Sequence, residues 1–543
     1  MPDAASPPWH ENAIIYQVPV GLLRDTNGNG WGDLDGVTDS LQHIHDLGAT
    51  AIWLQPFYAS PYVDGGYDVI DHLTVSDRFG TVQDFKDLMS RADELGLKVI
   101  LDLVVQHTSN KHSWFWQACH DRDSKYRDYY IWADEPEDTI VEPVFPTVED
   151  SVWAWSEQAG QYYRHTFYSH EPDLDVGNPD VRDEIRRIME HWLELGVAGF
   201  RVDAVPYMVL QAAQSDPREN GFWFLEELHD LVRKHRPDGV LIAESDVEPA
   251  KYADYFGDGN RFTMLLNFWL NNHLFLSMAR EEAEPLLRAL KDQPRPPDGC
   301  QYATWLRNHD ELDLEQLSDA EREETMAVFA PEPEMRAFGR GIRRRLAPML
   351  ADPRRLKQAM FLLCALPGTP VMLYGDEIGM GEDLGLPDRA SVRTPMQWTG
   401  HRNAGFSTAA GIELIHPVID DGPFGYHHVN VTDQSERPES LLETLKHLFE
   451  LRKQLGPYHS ATAEGVELDD AGVLAVRHRD GTADALMLAN LSAKRTQIRL
   501  PDDHRDDWVE VVADHAYDSA ATDQEIELHG YGYRWFRLNG SGS

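Results

Sequence analysis

Lysine is scarce in this chain: 11 of 543 residues, against 38 arginines. These 49 cations face 92 aspartates and glutamates, for a formal charge of −43. A field of that sign repels nucleic acid and anionic lipid, which excludes both as partners. Cysteine is nearly absent. Cys119, Cys300 and Cys364 lie far apart and in no CxxC pair, which excludes a disulfide scaffold and points to a reduced, cytoplasmic protein. No apolar run reaches the ~20 residues a membrane helix needs. The opening residues, MPDAASPPWHENA, have neither the basic nor the apolar segment of a secretory signal. What is present suffices for a large core: 42% hydrophobic and 10% aromatic residues exclude a disordered or low-complexity chain. The acid excess with so little lysine predicts a protein adapted to salt, because salt screens the repulsion that opposes compaction.

Short apolar runs recur along the first 375 residues: AIIYQVPV (13–20), AIWLQPF (51–57), KVILDLVV (98–105), VAGFRVDAV (197–205), GVLIAES (239–245), RFTMLLNF (261–268), QYATWLRN (301–308) and TPVMLYG (369–375). Amphipathic stretches such as DGVTDSLQHIHDLG and TVQDFKDLMSRADELG stand between most of them. Eight such strands with intervening helices predict an α/β fold, a (β/α)8 TIM barrel whose strands are apolar on both faces. The spacing opens in three places. Residues 106–170 carry many aromatics (Trp114, Trp116, Trp132, Trp153, Trp155) and read as an inserted domain, in which one or two tryptophans are expected to touch a ligand. Residues 311–352 read as helical and highly charged, and 376–430 are rich in Gly, Pro and Asp. All three follow strands and therefore lie at the C-terminal face, where barrel active sites are built. From residue 456 short alternating segments predict a C-terminal antiparallel β domain, a sandwich over 456–543 that ends in a flexible NGSGS tail. The barrel is thus expected over 1–105 and 171–455, with 106–170 as its inserted domain.

Polar residues at strand C-terminal ends carry the chemistry. DLVVQH ends in Gln106 and His107, GFRVDAV presents Arg201 and Asp203, LIAES presents Glu244, and RNHDE presents His309 and Asp310. Cleaving a glycosidic bond by double displacement takes a carboxylate nucleophile and a carboxylic acid as proton donor. Arg201, two residues from Asp203 and so on the same strand face, is expected to hold the nucleophile's pKa down. The donor must stay protonated near neutrality, so Glu244 is expected in a drier place beside anions.

These four segments resemble the four short conserved regions of the α-amylase family of retaining glycoside hydrolases and transglycosidases. The resemblance implies Asp203 as nucleophile, Glu244 as acid/base and Asp310 as transition-state stabiliser. It places Tyr67 and Asp68 of GGYDV at the first glucose subsite, with His107, Arg201 and His309 lining it. It makes residues 106–170 the family's domain B. Longer stretches, among them RNHDELDLEQLSDAERE, GIRRRLAPML and LPDRASVRTPMQW, are similar to the family's maltose–trehalose-isomerising branch. There the two later insertions close over the pocket, Arg393 lies by the first subsite paired with Asp68, and Glu311 stands near the second sugar. RTPMQW also occurs in oligo-1,6-glucosidases and sucrose isomerases, so α-glucosidase or another α-glucosyl transfer stays open beside isomerisation. The implied partner is a small α-glucoside such as maltose, trehalose or sucrose; a homo-oligomer stays open. Two departures bear on the site. Gln106 stands where the family has the Asn that binds a calcium between domain B and barrel. EPDLD (171–175) stands where it reads QPDLN.

A second metal candidate is DTNGNGWGD. Asp25, Asn27, Asn29, the Trp31 carbonyl and Asp33 have the alternate spacing of a calcium loop, without its terminal glutamate. Ca2+ or Mg2+ is expected there, and no organic cofactor.

Overall fold

The computed structural model describes residues 8–136, 143–215, 220–456, 458, 462–480, 483–501, 504, 507–517 and 525–538; the NGSGS tail lies outside the described residues. Each of the eight apolar runs forms a strand. β1 (Ile15–Val18), β2 (Ala51–Leu54), β3 (Lys98–Leu103), β4 (Gly199–Val202), β5 (Val240–Ala243), β6 (Met264–Leu266), β7 (Gln301–Trp305) and β8 (Thr369–Leu373) pair in parallel, each with its sequence neighbours, and β8 closes on β1. Inside the barrel Ile15, Trp53, Ile100, Ile242, Met264, Trp305 and Val371 form one packed cluster. The outward faces pack against the helices in a second, larger core. Register decides which polar residues meet: Asp102 on β3 stands directly beside Arg201 on β4.

Helix ends follow their chemistry. Asp33 caps the helix Leu34–Leu47, which stops at Gly48 with φ 107, a left-handed conformation that suits glycine. Thr81 and Asp84 form a capping box on Val82–Glu94.

Residues 106–170 build a separate lobe from the helix Ser113–His120 and a small antiparallel sheet of Trp132–Ala133, Trp153–Ser156 and Gln161–Arg164. Trp114 is buried there, whereas Trp116 and Trp155 are more than half exposed. Residues 311–352 are not simply helical. Beside the helix Asp319–Phe329 they form a three-stranded sheet from Leu312–Asp313, Arg336–Ala337 and Gly341–Ile342. Two-residue strands are too short for a hydrophobic period, so the charges alone were legible. The C-terminal region forms a five-stranded antiparallel sheet facing a two-stranded one, with Val473, Leu486, Leu488, Trp508, Ile526 and Phe536 between them. It docks on the barrel helix Pro353–Ala365, where Tyr533 stacks on Phe361 at 4.4 Å. Among the described residues no helix is long and apolar enough to cross a membrane.

Candidate active site

Asp203 and Glu244 follow β4 and β5 directly, at the C-terminal rim. One guanidinium holds both: Arg201 Nη1 donates to Asp203 at 2.6 Å, and Nη2 lies 2.6 Å from Glu244. Nη1 also donates to Asp102 at 2.7 Å, as the strand register dictates. Asp102 in turn accepts from Trp53 Nε1 at 2.7 Å and from the Tyr67 hydroxyl at 3.2 Å. Sequence reasoning passed over Asp102, which lies inside an apolar strand; the charge within that run was its signal. Shared contact with one guanidinium keeps Asp203 and Glu244 side by side. That suits a retaining pair, ~5–5.5 Å apart, rather than an inverting pair, ~6.5–9.5 Å apart.

Burial and its neighbouring anions Asp203 and Asp310 push Glu244 up to about 7, against the pull of Arg201, so it keeps its proton near neutrality. The expectation for Asp203 needs correction. Burial raises its pKa and Arg201 opposes the rise without reversing it. The reason is visible in the geometry: Arg201 divides its charge among three carboxylates. Asp310 behaves differently. Burial pushes it up, but Arg389, His309 and Arg393 outweigh that and hold it well below the usual carboxylate range.

Tyr67 and His309 stack face to face at 5.4 Å, with the Tyr67 hydroxyl 2.9 Å from His309 Nε2. Gln17 fixes the other ring nitrogen at 2.8 Å. Burial lowers the pKa of both His309 and His107. Asp68 is fully buried and does not pair with Arg393. It accepts from Ser60 Oγ at 2.9 Å, Val63 N at 3.1 Å and Asp64 N at 3.2 Å, which satisfies it within its own loop. Arg393 instead donates to Asp310 at 2.6 Å and to the His309 carbonyl at 2.9 Å.

Glu311 is bound by Arg389, Nε to Oε2 at 2.8 Å. Arg389 also lies 3.5 Å from Asp310, and its guanidinium sits 4.6 Å from the ring centre of Phe145 and 5.6 Å from that of Phe338. One side chain from 376–430 thus touches 106–170, 311–352 and the catalytic rim. Val144, Phe145, Ala337 and Phe338 form a small apolar cluster at that junction. Beneath it lies a cavity of about 230 Å³ with Glu244, Asp310, Glu311 and Arg389 on its inner wall. Asp246, Asp313 and Glu315 line it as well, with Arg340 bound to Asp313 at 2.9 Å and Glu315 at 3.2 Å. Tyr67, His309 and Arg393 face a second cavity of about 290 Å³, which Trp31 also lines. None of the described tryptophans of 106–170 borders either cavity; Val144 and Phe167 are that lobe's contributions.

The junction between lobe and barrel has its own cation. Arg164 Nε lies 3.3 Å from Asp173, which also accepts from Thr166 N at 2.8 Å and Thr166 Oγ1 at 2.6 Å. The Gln106 amide is engaged by His107 and Thr166. A calcium does not fit there, because an arginine already neutralises the carboxylate. The 25–33 loop differs. Asp25 accepts from Gly28 N at 2.7 Å and Gly30 N at 2.8 Å, and Asp33 from Thr26 N at 2.9 Å and Gly36 N at 2.7 Å. Asn27 and Asn29 turn their oxygens to backbone N–H groups two residues on. No basic side chain pairs with either aspartate among the described residues, and the donors are all hard oxygens. That set fits Ca2+ or Mg2+.

Comparison with known proteins bears on the same regions. The α-amylase catalytic-domain model matches residues 21–329 and 343–459, and a sucrose hydrolase-like C-terminal domain matches 483–537. A trehalose synthase of Pimelobacter sp. (strain R48) is 37% identical over 98% of this chain and 96% of its own length. A glucan 1,6-alpha-glucosidase of Streptococcus pneumoniae is 30% identical, covering 89% of this chain and 91% of its own. Among solved structures, the trehalulose synthase MutB of Pseudomonas mesoacidophila MX-45 superposes with a TM-score of 0.78 at 24% identity, over 98% of this chain and all of its own, a likeness of fold.

Proposed function

Since the chain belongs to the α-amylase family, we propose that it interconverts maltose and trehalose by intramolecular transglucosylation with retention, some glucose being lost to hydrolysis. Asp203 attacks the anomeric carbon while Glu244 protonates the bridging oxygen. Asp310 stabilises the positive charge that develops, and Tyr67, Asp68, His107, Arg201 and His309 hold the transferred glucose. The freed glucose turns over near Glu311 and offers its 1-hydroxyl, which Glu244 deprotonates as the second displacement forms the α,α-1,1 bond. The observation that carries this reading is the Arg389 junction. Two lobes and a loop meet over the catalytic rim, and a covered pocket favours the sugar over water as acceptor. Likeness to trehalose synthases over nearly the whole chain supports the same choice.

α-Glucosidase activity is the second reading, favoured by the glucan 1,6-alpha-glucosidase relative. Separate incubations with maltose, trehalose and sucrose, with products identified chromatographically, test both: trehalose from maltose supports isomerisation, and glucose alone supports hydrolysis. The reading extends to three further proposals. Asp25, Asn27, Asn29, Trp31 and Asp33 hold a Ca2+ or Mg2+ that stiffens the loop beside Ser407 and takes no part in the chemistry. The acidic surface is an adaptation to salt. The protein works in the cytoplasm.

A further inference from the structure

We propose that Gln17 is a positioning residue for the catalytic rim: its side-chain amide donates to Nδ1 of His309 and so keeps the ring's proton on Nε2, facing Asp310. The inference rests on the reading of this site as an α-glucoside pocket. Gln17 interrupts the apolar run of β1. It shares a strand face with Ile15 of the barrel-interior cluster, and in register it stands between Trp53 of β2 and Leu373 of β8. It is fully buried, and among the described residues its Oε1 has no hydrogen-bond partner. An unsatisfied buried polar atom costs ~1–3 kcal/mol, and a methionine would fill the same space without that cost. What the amide has and methionine lacks is its Nε2, 2.8 Å from His309 Nδ1.

The other side of the His309 ring shows why a donor is needed there. Nε2 faces the Tyr67 hydroxyl at 2.9 Å and Asp310 Oδ2 at 3.1 Å. Asp310 carries Arg393 at 2.6 Å and Arg389 at 3.5 Å, so the carboxylate beside Nε2 is ionised and can only accept. A proton on Nε2 suits both oxygens, and it leaves the Tyr67 hydroxyl free to donate to Asp102 at 3.2 Å. Nδ1 is then a lone pair inside the barrel, and the Gln17 amide meets it. The opposite tautomer fails at each contact. Its Nδ1 proton would call for the Gln17 oxygen, its Nε2 would turn a lone pair on the Asp310 carboxylate, and Tyr67 would have to leave Asp102 to satisfy that lone pair. Burial lowers the His309 pKa, in keeping with a ring that holds a single proton. Gln17 thus acts on Asp310 through His309. Because Asp310 answers charge that develops in the transition state, the effect falls on kcat rather than KM.

Steady-state kinetics on maltose, read as substrate consumed, test this with wild type, Gln17→Met, His309→Phe and the double variant. Gln17→Met keeps the length of the side chain and removes the donor. It lowers kcat about tenfold, the size of one lost hydrogen bond, with KM within about twofold of wild type. Its melting temperature matches or exceeds that of wild type, since the unsatisfied Oε1 is gone. His309→Phe has no Nδ1, so in that background the same change at Gln17 costs no further kcat. Full kcat in Gln17→Met, a loss confined to KM, or the same tenfold loss in both backgrounds overturns the inference. Should Gln17→Met fail to fold, Gln17→Leu takes its place in the cycle, with the same outcomes. A wild type inert on every α-glucoside would overturn the reading of the site, and the inference with it.

Discussion

Arg389 donates to Glu311 at 2.8 Å while its guanidinium lies against Phe145, a residue of the lobe inserted after β3. The pocket's cover is thus tied to the carboxylates below it by one half-buried cation. Replacing Arg389 by Met keeps the apolar stem and removes the charge, leaving Glu311 unpaired. Closure should weaken and water should compete better for the glucosyl-enzyme. The expected outcome is a severalfold higher ratio of glucose to trehalose from maltose, read by product chromatography. An unchanged ratio would detach Arg389 from closure.

Partial withdrawal from water, with Asp203 and Asp310 nearby, pushes the Glu244 pKa up to about 7. As proton donor it must be protonated in the free enzyme, so kcat/KM should fall as pH rises through about 7. The stability sign runs the same way. A carboxyl whose folded pKa is raised costs stability once it ionises, beginning above its ordinary value and complete above about 7. Glu244→Gln should therefore gain melting temperature relative to wild type at pH 8 and not at pH 4. Equal differences at the two pH values would contradict the assignment.

Much of this was legible beforehand, for a physical reason. A parallel barrel strand is apolar on both faces, so a charge within or just after such a run marks the inward rim; Arg201, Asp203 and Glu244 announced themselves that way. Arg389 did not. It lies in a short 3-10 helix, Asp388–Val392, 78 positions from the Glu311 it binds, and no periodicity connects them. The expected Asp68–Arg393 pair failed because opposite charge says nothing of what else is at hand. Asp68 finds three donors in its own loop, and Arg393 finds Asp310.

A metal in the 25–33 loop should show as stability. Treatment with EDTA is expected to lower the melting temperature, with Ca2+ or Mg2+ restoring it, since a ligand that binds only the folded state stabilises it. Asp25→Asn with Asp33→Asn should remove the response. A melting temperature indifferent to chelation would leave the loop as a hydrogen-bonded turn.

Salt tests the surface. With 92 acids against 49 cations, screening matters wherever carboxylates lie closer than the Debye length, ~10 Å at 0.1 M and ~3 Å at 1 M. Melting temperature and activity are expected to rise between 0.1 M and 2 M KCl. A flat or falling melting temperature would refute adaptation to salt and leave the site untouched.

The central claim is that the second glucose never leaves the covered pocket during isomerisation. Wild-type enzyme incubated with unlabelled maltose and an excess of carbon-13-labelled free glucose tests it directly, with the trehalose product examined by mass spectrometry. The account predicts trehalose that is almost entirely unlabelled, with a little unlabelled glucose released by hydrolysis. Trehalose carrying one labelled ring in proportion to the free pool would show an open pocket and transfer between molecules, and would contradict it.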